Sequence, residues 1–303
     1  MKTLPRGWPR ISQAAFYPDA TQAIEFLRDA FGFDVRLVVH GEGGRVEHSE
    51  LTLAGGVVMV AETEGPNAKP LHRAPGQLDG GNTQNMFIHV DDVEAHCRRA
   101  RSAGAQILKS PELSDYGDDH WADTTYECAD LAGHRWWFAQ RMRTGSTYQP
   151  VLDANDVGAS PPPKGWPRIS SALYYADPAA AIDWLCRAFG FQIQLKVEGE
   201  GGSIVHSELV FGGGLIMVGD AARDAERWPH RREPNQIHGS NTQSLMLYVD
   251  DALAACEQAR AAGAQIAKEP AISDYGEDYW ADLSFEAIDV GGHRWWITER
   301  KRG

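Results

Sequence analysis

The sequence predicts an α+β protein built from four βαβββ modules, two in each half of the chain. Three observations lead to this prediction. First, the chain contains an internal sequence repeat, since GWPRIS at Gly7 recurs at Gly165 and GHRWW at Gly133 recurs at Gly292. Second, each copy has about 140 residues, which is the length of a domain and not of a solenoid repeat. Third, helix and strand signals follow one another in the same order in both copies.

The first helix of each copy is marked at both ends by residues that cap helices. Asp19 is placed to accept hydrogen bonds from the first turn, and Gly32 stands where a left-handed residue ends the helix. In the second copy Asp177 precedes Pro178 at the first helical position, and Gly190 supplies the stop. Apolar residues at helical spacing lie between these ends, so one face of each helix is expected to pack on a sheet.

The other periodic segments are predicted to be strands, with a second helix among them. That helix is expected from about 92 to 103 and again from about 251 to 262. The strands of the first copy are expected near 11–17, 33–40, 45–53, 57–61, 84–90, 105–109, 124–129 and 134–140. The acidic segments 111–123 and 270–282 and the divergent segments 62–82 and 219–240 are expected to be loops, the latter two either lids or passive connectors.

Composition and charge exclude several classes of protein. The formal net charge is −13 and lysine and arginine do not cluster, so neither nucleic acid nor an anionic membrane is expected as a partner. The sequence has no apolar run of membrane-spanning length and no export signal. The four cysteines, Cys97, Cys128, Cys186 and Cys256, have no CxxC spacing, so reduced thiols in a cytoplasmic protein are expected.

The least repeated part of the chain is predicted to be a linker. Residues 142–163 combine Gly, Ser, Asn and Asp with three consecutive prolines and have no hydrophobic periodicity. The predicted domains are therefore 1–141 and 164–303, joined by a spacer long enough to let them pack side by side.

Four motifs occur at equivalent places in both halves. They are FGF at Phe31 and Phe189, HSEL at His48 and His206, VDD at Val90 and Val249, and D-x(2)-GHRWW at Asp130 and Asp289. In this order they resemble the vicinal oxygen chelate superfamily, which includes glyoxalase I, bleomycin resistance proteins and extradiol dioxygenases, and within it the PhnB-type glyoxalase-like proteins. The resemblance implies cupped mixed sheets with the helices on the outer faces and a ligand on the concave face. It also implies that this chain forms by itself, as a monomer, the assembly that shorter relatives form as homodimers.

The resemblance further implies four metal-ligand positions, one on each of four strands, in relatives that need a metal. These positions fall on Ser12 and Ser170, Glu50 and Glu208, Asn85 and Ser244, and Trp137 and Trp296. Only the glutamates belong to the ligand types that zinc, nickel or iron favour, and an indole ring cannot coordinate a metal. We therefore expect no metal and no other cofactor, with a divalent metal as the alternative. This expectation disfavours glyoxalase I chemistry and dioxygenation.

Aromatic and polar side chains are expected to line a pocket in place of the metal site. The expected ligand-binding residues are His48, Trp121, Tyr126 and Trp137 in the first half, and His206, Trp280, Phe285 and Trp296 in the second. Aromatic walls with a few polar groups suit a planar or apolar organic ligand. The sequence therefore predicts a protein that binds or sequesters a small organic molecule without a metal.

Two alternatives remain open for the paired histidines and glutamates. Strand alternation places His48 and Glu50 on one face of their strand, as it does His206 and Glu208. In the first alternative Glu50 and Glu208 are the catalytic general bases of a lyase or isomerase. In the second the pairs only hydrogen-bond within a polar pocket floor, and each aromatic ring is ordinary core.

Overall fold

The computed structural model describes residues 1–2, 4–64, 69–145, 162–221, 226–277 and 279–303. The first half contains β1 (Ile11–Tyr17), α1 (Ala20–Phe26) with a following π turn (Leu27–Phe31), β2 (Asp34–His40), β3 (Val46–Leu53), β4 (Gly56–Glu62), β5 (Gln84–His89), α2 (Val93–Ser102), β6 (Gln106–Asp115), β7 (Trp121–Ala129) and β8 (Arg135–Thr144). The second half contains β9 (Ile169–Tyr175), α3 (Pro178–Phe189), β10 (Gln192–Glu198), β11 (Ile204–Phe211), β12 (Gly214–Asp220), β13 (Gln243–Tyr248), α4 (Ala252–Ala261), β14 (Gln265–Asp274), β15 (Ala281–Ile288) and β16 (Arg294–Arg302).

The predicted helix ends are confirmed. The carboxylate of Asp19 accepts a hydrogen bond from the third residue after it at 2.9 Å, and that of Asp177 does the same at 2.9 Å. Gly32 and Gly190 have φ values of 82° and 78°, the left-handed region that only glycine enters without strain. The two helices differ in one respect, because α1 finishes in a π turn whereas α3 is a continuous α-helix.

The strands form two eight-stranded mixed sheets, each containing strands from both halves of the chain. In the first sheet the order is β14-β15-β16-β13-β1-β4-β3-β2, and in the second it is β10-β11-β12-β9-β5-β8-β7-β6. The module 11–62 therefore joins the last module of the chain, and the two middle modules join each other. Antiparallel pairing of β1 with β13 and of β5 with β9 makes each sheet continuous.

Each half nevertheless has its own hydrophobic core on the helix side of the sheets. Phe31 and Trp136 lie in the core of the first half, and Phe189 and Trp295 lie in that of the second. The helices thus cover the outer faces, as predicted, and the opposite face of each sheet is left to form a cup. Because each sheet contains strands from both halves, each cup is formed at their junction.

The D-x(2)-GHRWW motif is a structural element of this core. The buried carboxylate of Asp130 accepts hydrogen bonds from the Tyr17 hydroxyl at 2.6 Å and from the Trp136 indole at 2.9 Å. It also accepts bonds from two backbone N–H groups of the turn that follows it. Asp289 makes the same set of bonds in the second half. The motif therefore joins the first and last strands of each half.

The sequence NTQ, which occurs at 82–84 and again at 241–243, marks a pseudo-twofold axis between the halves. The backbone N–H of Thr83 donates to the hydroxyl of Thr242 at 3.1 Å, and the N–H of Thr242 donates to the hydroxyl of Thr83 at 3.1 Å. The preceding asparagines hold the divergent segments 62–82 and 219–240. The backbone N–H of Asn82 donates to the carbonyl of His230, and the backbone N–H of Asn241 donates to the carbonyl of Leu71. Each segment is thus held to the opposite half of the chain.

Two expectations about the chain's course are corrected or left open. The acidic segment 111–123 is mostly strand, because β6 extends to Asp115 and β7 begins at Trp121. Ion pairs to arginines of β8, of Asp115 with Arg143 and of Asp123 with Arg141, allow these carboxylates to lie in a sheet. Residues 142–144 of the predicted linker belong to β8, and residues 146–161 lie outside the described residues. Among the residues described, no helix has the length and apolar character needed to cross a membrane.

Candidate functional site

Each sheet has a cavity on the face opposite its helices. We call the cavity on the sheet that contains β1 the first cup, and the cavity on the sheet that contains β9 the second cup. The first cup has a volume of about 410 Å³ and the second of about 790 Å³. His48 and Trp296 line the first cup, whereas His206, Trp121 and Trp137 line the second.

The wall of the first cup contains a buried, charge-paired carboxylate. Glu50 accepts a hydrogen bond from Arg36 Nε at 2.7 Å through one oxygen, and its other oxygen lies 3.0 Å from His48 Nε2. Burial by itself would raise the pKa of Glu50, but the His48 and Arg36 interactions outweigh it, and the pKa of this carboxyl is lowered. Glu50 is therefore held as a carboxylate with both oxygens engaged.

The second cup repeats this wall with one exchange. Glu208 lies 3.0 Å from His206 Nε2 and accepts a hydrogen bond from Gln194 Nε2 at 2.8 Å. Gln194 occupies the position of Arg36 in the repeat, so a neutral amide replaces a guanidinium. Glu208 is 0% exposed and does not line the cavity itself.

A tryptophan with a neighbouring arginine stands at the rim of each cup. In the first cup Arg300 donates to Asp282 at 2.5 Å, and its guanidinium lies 5.4 Å from the centre of the Trp280 ring. Arg141 makes the equivalent contacts in the second cup. Burial raises the pKa of Asp282 although the arginine opposes this effect. At each rim, therefore, a partly buried pair of arginine and aspartate lies against the ring of a tryptophan.

The structure brings together predicted residues that are far apart in the sequence. The ring centres of His48 and Trp280 are 6.2 Å apart, and those of Trp121 and His206 are 5.9 Å apart. The first cup thus combines His48 of one half with Trp296 of the other, and the second combines Trp121 and Trp137 with His206. Trp280 contacts His48 beside the first cavity without lining it, and Glu50 and Glu208 lie behind the two histidines.

Tyr126 and Phe285 are not pocket residues. Both are 0% exposed and lie in the helix-side cores, where the Tyr126 hydroxyl is 2.7 Å from His96 Nδ1. The expectation that they contact ligand is wrong because side chains alternate along a strand. Tyr126 is an odd number of residues from Trp121, as Phe285 is from Trp280, so the two cannot share a face of a regular strand.

Family comparison identifies the fold of both halves. Residues 10–138 and 168–297 match the model of the Glyoxalase/Bleomycin resistance protein/Dioxygenase superfamily. The chain belongs to this superfamily. An uncharacterised protein of Mycobacterium bovis is 30% identical over 135 residues, which are 45% of this chain and 85% of that protein. The PhnB-type assignment within the superfamily stays a prediction.

Solved structures of this superfamily cover the whole arrangement of four modules. A single-site mutant of glyoxalase I from Zea mays has a TM-score of 0.64 at 13% identity, over 95% of this chain and 91% of that one. Glyoxalase I from Zea mays without that change gives 0.60 at 12% identity, over 95% and 90% of the two chains. At these identities the likeness shows the fold alone.

The metal-ligand positions known from the superfamily are regrouped by the shared sheets. Ser12, Glu50, Ser244 and Trp296 lie on the first sheet, and Ser170, Glu208, Asn85 and Trp137 lie on the second. Each set contains one carboxylate, two weak neutral donors and an indole. Within the described ranges no three His, Cys, Asp or Glu side chains converge as a metal-binding group. These residues do not fit a transition metal.

Sequence reasoning missed four residues near the cups. Trp8 and Trp166 belong to the repeated GWPRIS motif, and Trp166 lines the second cup 5.5 Å from Phe87. Lys69 and Trp228 come from the divergent segments and contact the tryptophan of their cup. The tryptophans at 8 and 166 could have been found from the sequence, because GWPR is repeated directly before the first strand of each half. No sequence pattern indicates that Lys69 or Trp228 lies in a cup.

Proposed function

We propose that this protein binds and sequesters a small planar organic molecule in each of its two cups, without a metal. The observation that carries the proposal is the position of Trp296 and Trp137. Each indole faces its cavity from the strand position at which metal-dependent members of the superfamily place a ligand. A flat aromatic surface at the floor of a cavity favours a guest held by stacking.

The size and lining of the cavities support this proposal. Their volumes of about 410 and 790 Å³ fall in the range of roughly 300–1,000 Å³ that is usual for small-molecule pockets. Their surfaces mix aromatic and aliphatic side chains with charged groups, which are more numerous in the first cup than in the second. That composition suits orientation of an organic guest by one or two polar contacts.

The state of the two glutamates favours binding over lyase or isomerase chemistry. A general base needs an accessible oxygen and a pKa near the working pH. Glu50 is 4% exposed, both of its oxygens are engaged, and its pKa is lowered. Both oxygens of Glu208 are likewise engaged, by His206 and Gln194. In this reading the pairs of His and Glu stiffen the pocket wall.

A neutral aromatic probe tests this function. We expect N-phenylnaphthylamine to bind the chelator-treated protein and to gain fluorescence, and Trp137→Ala and Trp296→Ala each to weaken binding at their own cup by about tenfold or more. Leu253→Ala, on an exposed face of α4, is the matched control and should change nothing.

The same material separates binding from turnover. Glu50→Gln and Glu208→Gln should leave probe affinity within about threefold, because an amide can keep part of the hydrogen bonding. Candidate aromatic guests should be recovered chemically unchanged, as followed by mass spectrometry. Conversion of a guest that is lost in either glutamine variant would establish the lyase or isomerase function instead.

A further inference from the structure

The two cups diverge most at the tryptophan on their floor. In the first cup the ammonium group of Lys69 lies 4.2 Å from the centre of the Trp296 ring. The equivalent residue of the second cup is Trp228, whose ring lies 6.2 Å from that of Trp137. A cation has thus replaced an aromatic surface at the same place.

A second substitution has the same electrostatic effect. Lys268 also lies over the Trp296 ring, at 5.4 Å, and the equivalent Lys109 is paired with Glu112 at 3.0 Å. Ala271 stands where Glu112 stands in the first half, and it lines the first cup. Among the residues that the structure describes, neither Lys69 nor Lys268 has a carboxylate partner.

The other charges near Trp296 do not neutralise these lysines. Glu286 is the carboxylate at this end of the cup, and it is already bonded to Arg294 at 2.7 Å. Burial lowers the pKa of Lys69, and the nearby Arg294 and Lys268 lower it further against the opposing effect of Glu286. An anion between the two lysines would relieve this repulsion.

One acidic side chain of the first cup, Asp282 on β15, is paired with Arg300. Glu47, Glu62 and Glu64 line the cavity from β3, β4 and the residues that follow β4. Glu62 is paired with Arg45 at 2.6 Å, and Glu64 accepts a hydrogen bond from Gln77 at 3.3 Å. The two lysines of the first cup that have no carboxylate partner among the described residues therefore lie together at Trp296.

We propose that the first cup is selective for a planar organic anion, with the carboxylate, sulfonate or phosphate group of the guest between Lys69 and Lys268 and its ring system on the cavity floor. At the equivalent place the second cup has Trp228 and the paired Lys109, and its cations beside Trp228 are Arg227 and Arg231. The inference rests on the proposed binding function and adds the chemical class of the guest.

Two probes that differ by a single anionic group test this selectivity. Anilinonaphthalene sulfonate carries the charge, and N-phenylnaphthylamine has the same ring system without it. We expect Lys69→Gln, Lys268→Gln and Ala271→Glu each to weaken sulfonate binding at the first cup by about tenfold while changing affinity for the neutral probe by no more than about twofold. Ala271→Glu removes no contact and copies the ion pair of the second cup.

Lys109→Gln is the matched control, since it alters the equivalent lysine of the other cup and should leave sulfonate binding at the first cup unchanged. Thermal melting of every variant checks that the fold is intact. Equal losses for the two probes, or no loss in any of the three first-cup variants, would overturn anion selectivity and leave the binding function standing. Binding of both probes that is indifferent to Trp137→Ala and Trp296→Ala would instead remove the binding function on which this inference rests.

Discussion

The two cups share one framework and differ in what faces the guest. The buried hydrogen-bond networks of Asp130 and Asp289 are equivalent, and so are the reciprocal bonds of Thr83 and Thr242. The side chains around the cavities have diverged: Arg36 corresponds to Gln194, Lys69 to Trp228, and Ala271 to Glu112. The difference indicates that duplication kept the groups that fold each half and left the cavity-facing groups free to specialise.

The largest expected effect tests the shared part of this comparison. Asp130→Ala leaves a buried hydroxyl, an indole N–H and two backbone N–H groups without their acceptor, so we expect a loss of roughly 3–5 kcal/mol in the free energy of unfolding. Asp289→Ala should lose the same amount, within about 1 kcal/mol. Urea denaturation followed by circular dichroism measures both. A large loss in one variant only would show that the two halves do not share one framework.

A smaller effect tests the exchange of Arg36 for Gln194. Arg36→Ala leaves the buried Glu50 with His48 alone, and we expect it to cost about 2–3 kcal/mol of stability at pH 7. Arg36→Gln copies the second cup and should cost about 1 kcal/mol or less.

The sign of the pH dependence follows from the lowered pKa of Glu50. Its contribution to stability is present above the unfolded value of 4.5 and is lost as the pH falls through the lower folded pKa. Arg36→Ala should therefore flatten the acid limb of the stability curve. An unchanged acid limb in that variant would contradict the role given to Arg36.

The smallest effect concerns two buried histidines, His72 in the first cup and His230 beside Trp228 of the second. Burial lowers the pKa of His72 and of His230 from 6.5 to about 3, with nearby cations contributing. Below pH 6.5 the unfolded chain binds protons that the folded chain does not, so stability is full above that pH and falls toward pH 3.

The variant that tests this effect is His72→Phe. The His72 ring is stacked on Phe16 with the ring centres 3.7 Å apart, and phenylalanine keeps a flat ring at that place. When the pH falls from 7 to 5, the free energy of unfolding of this variant should decrease by about 1–2 kcal/mol less than that of the unsubstituted protein. His230→Phe should behave alike, although it comes from a different position of the repeat. Chemical denaturation at the two pH values is the measurement, and parallel curves for all three proteins would contradict it.

Local features of the fold followed from the sequence because their causes are local. Asp19 and Asp177 cap helices wherever the helices pack, and alternation placed His48 and Glu50 on one face without knowledge of their neighbours. The same alternation, applied strictly, separates Tyr126 from Trp121 and would have kept Tyr126 out of the predicted pocket.

The non-local features did not follow from the sequence. The sequence does not state which module pairs with β1, so it could not show that Trp296 joins His48 in one cup. The extra length of β6 and β7 depends on arginines of β8 that neutralise acidic residues across the sheet. Lys69 reaches Trp296 only because its segment crosses to the other half, where Asn241 holds it.

The number of guest molecules bound to chelator-treated protein tests the central claim most directly. Equilibrium dialysis with N-phenylnaphthylamine should give two sites on the protein, one on Trp137→Ala and one on Trp296→Ala, with no change on adding zinc, nickel or iron. Binding that requires a stoichiometric transition ion, or two sites that survive in both variants, would contradict guests held by indole stacking in two metal-free cups.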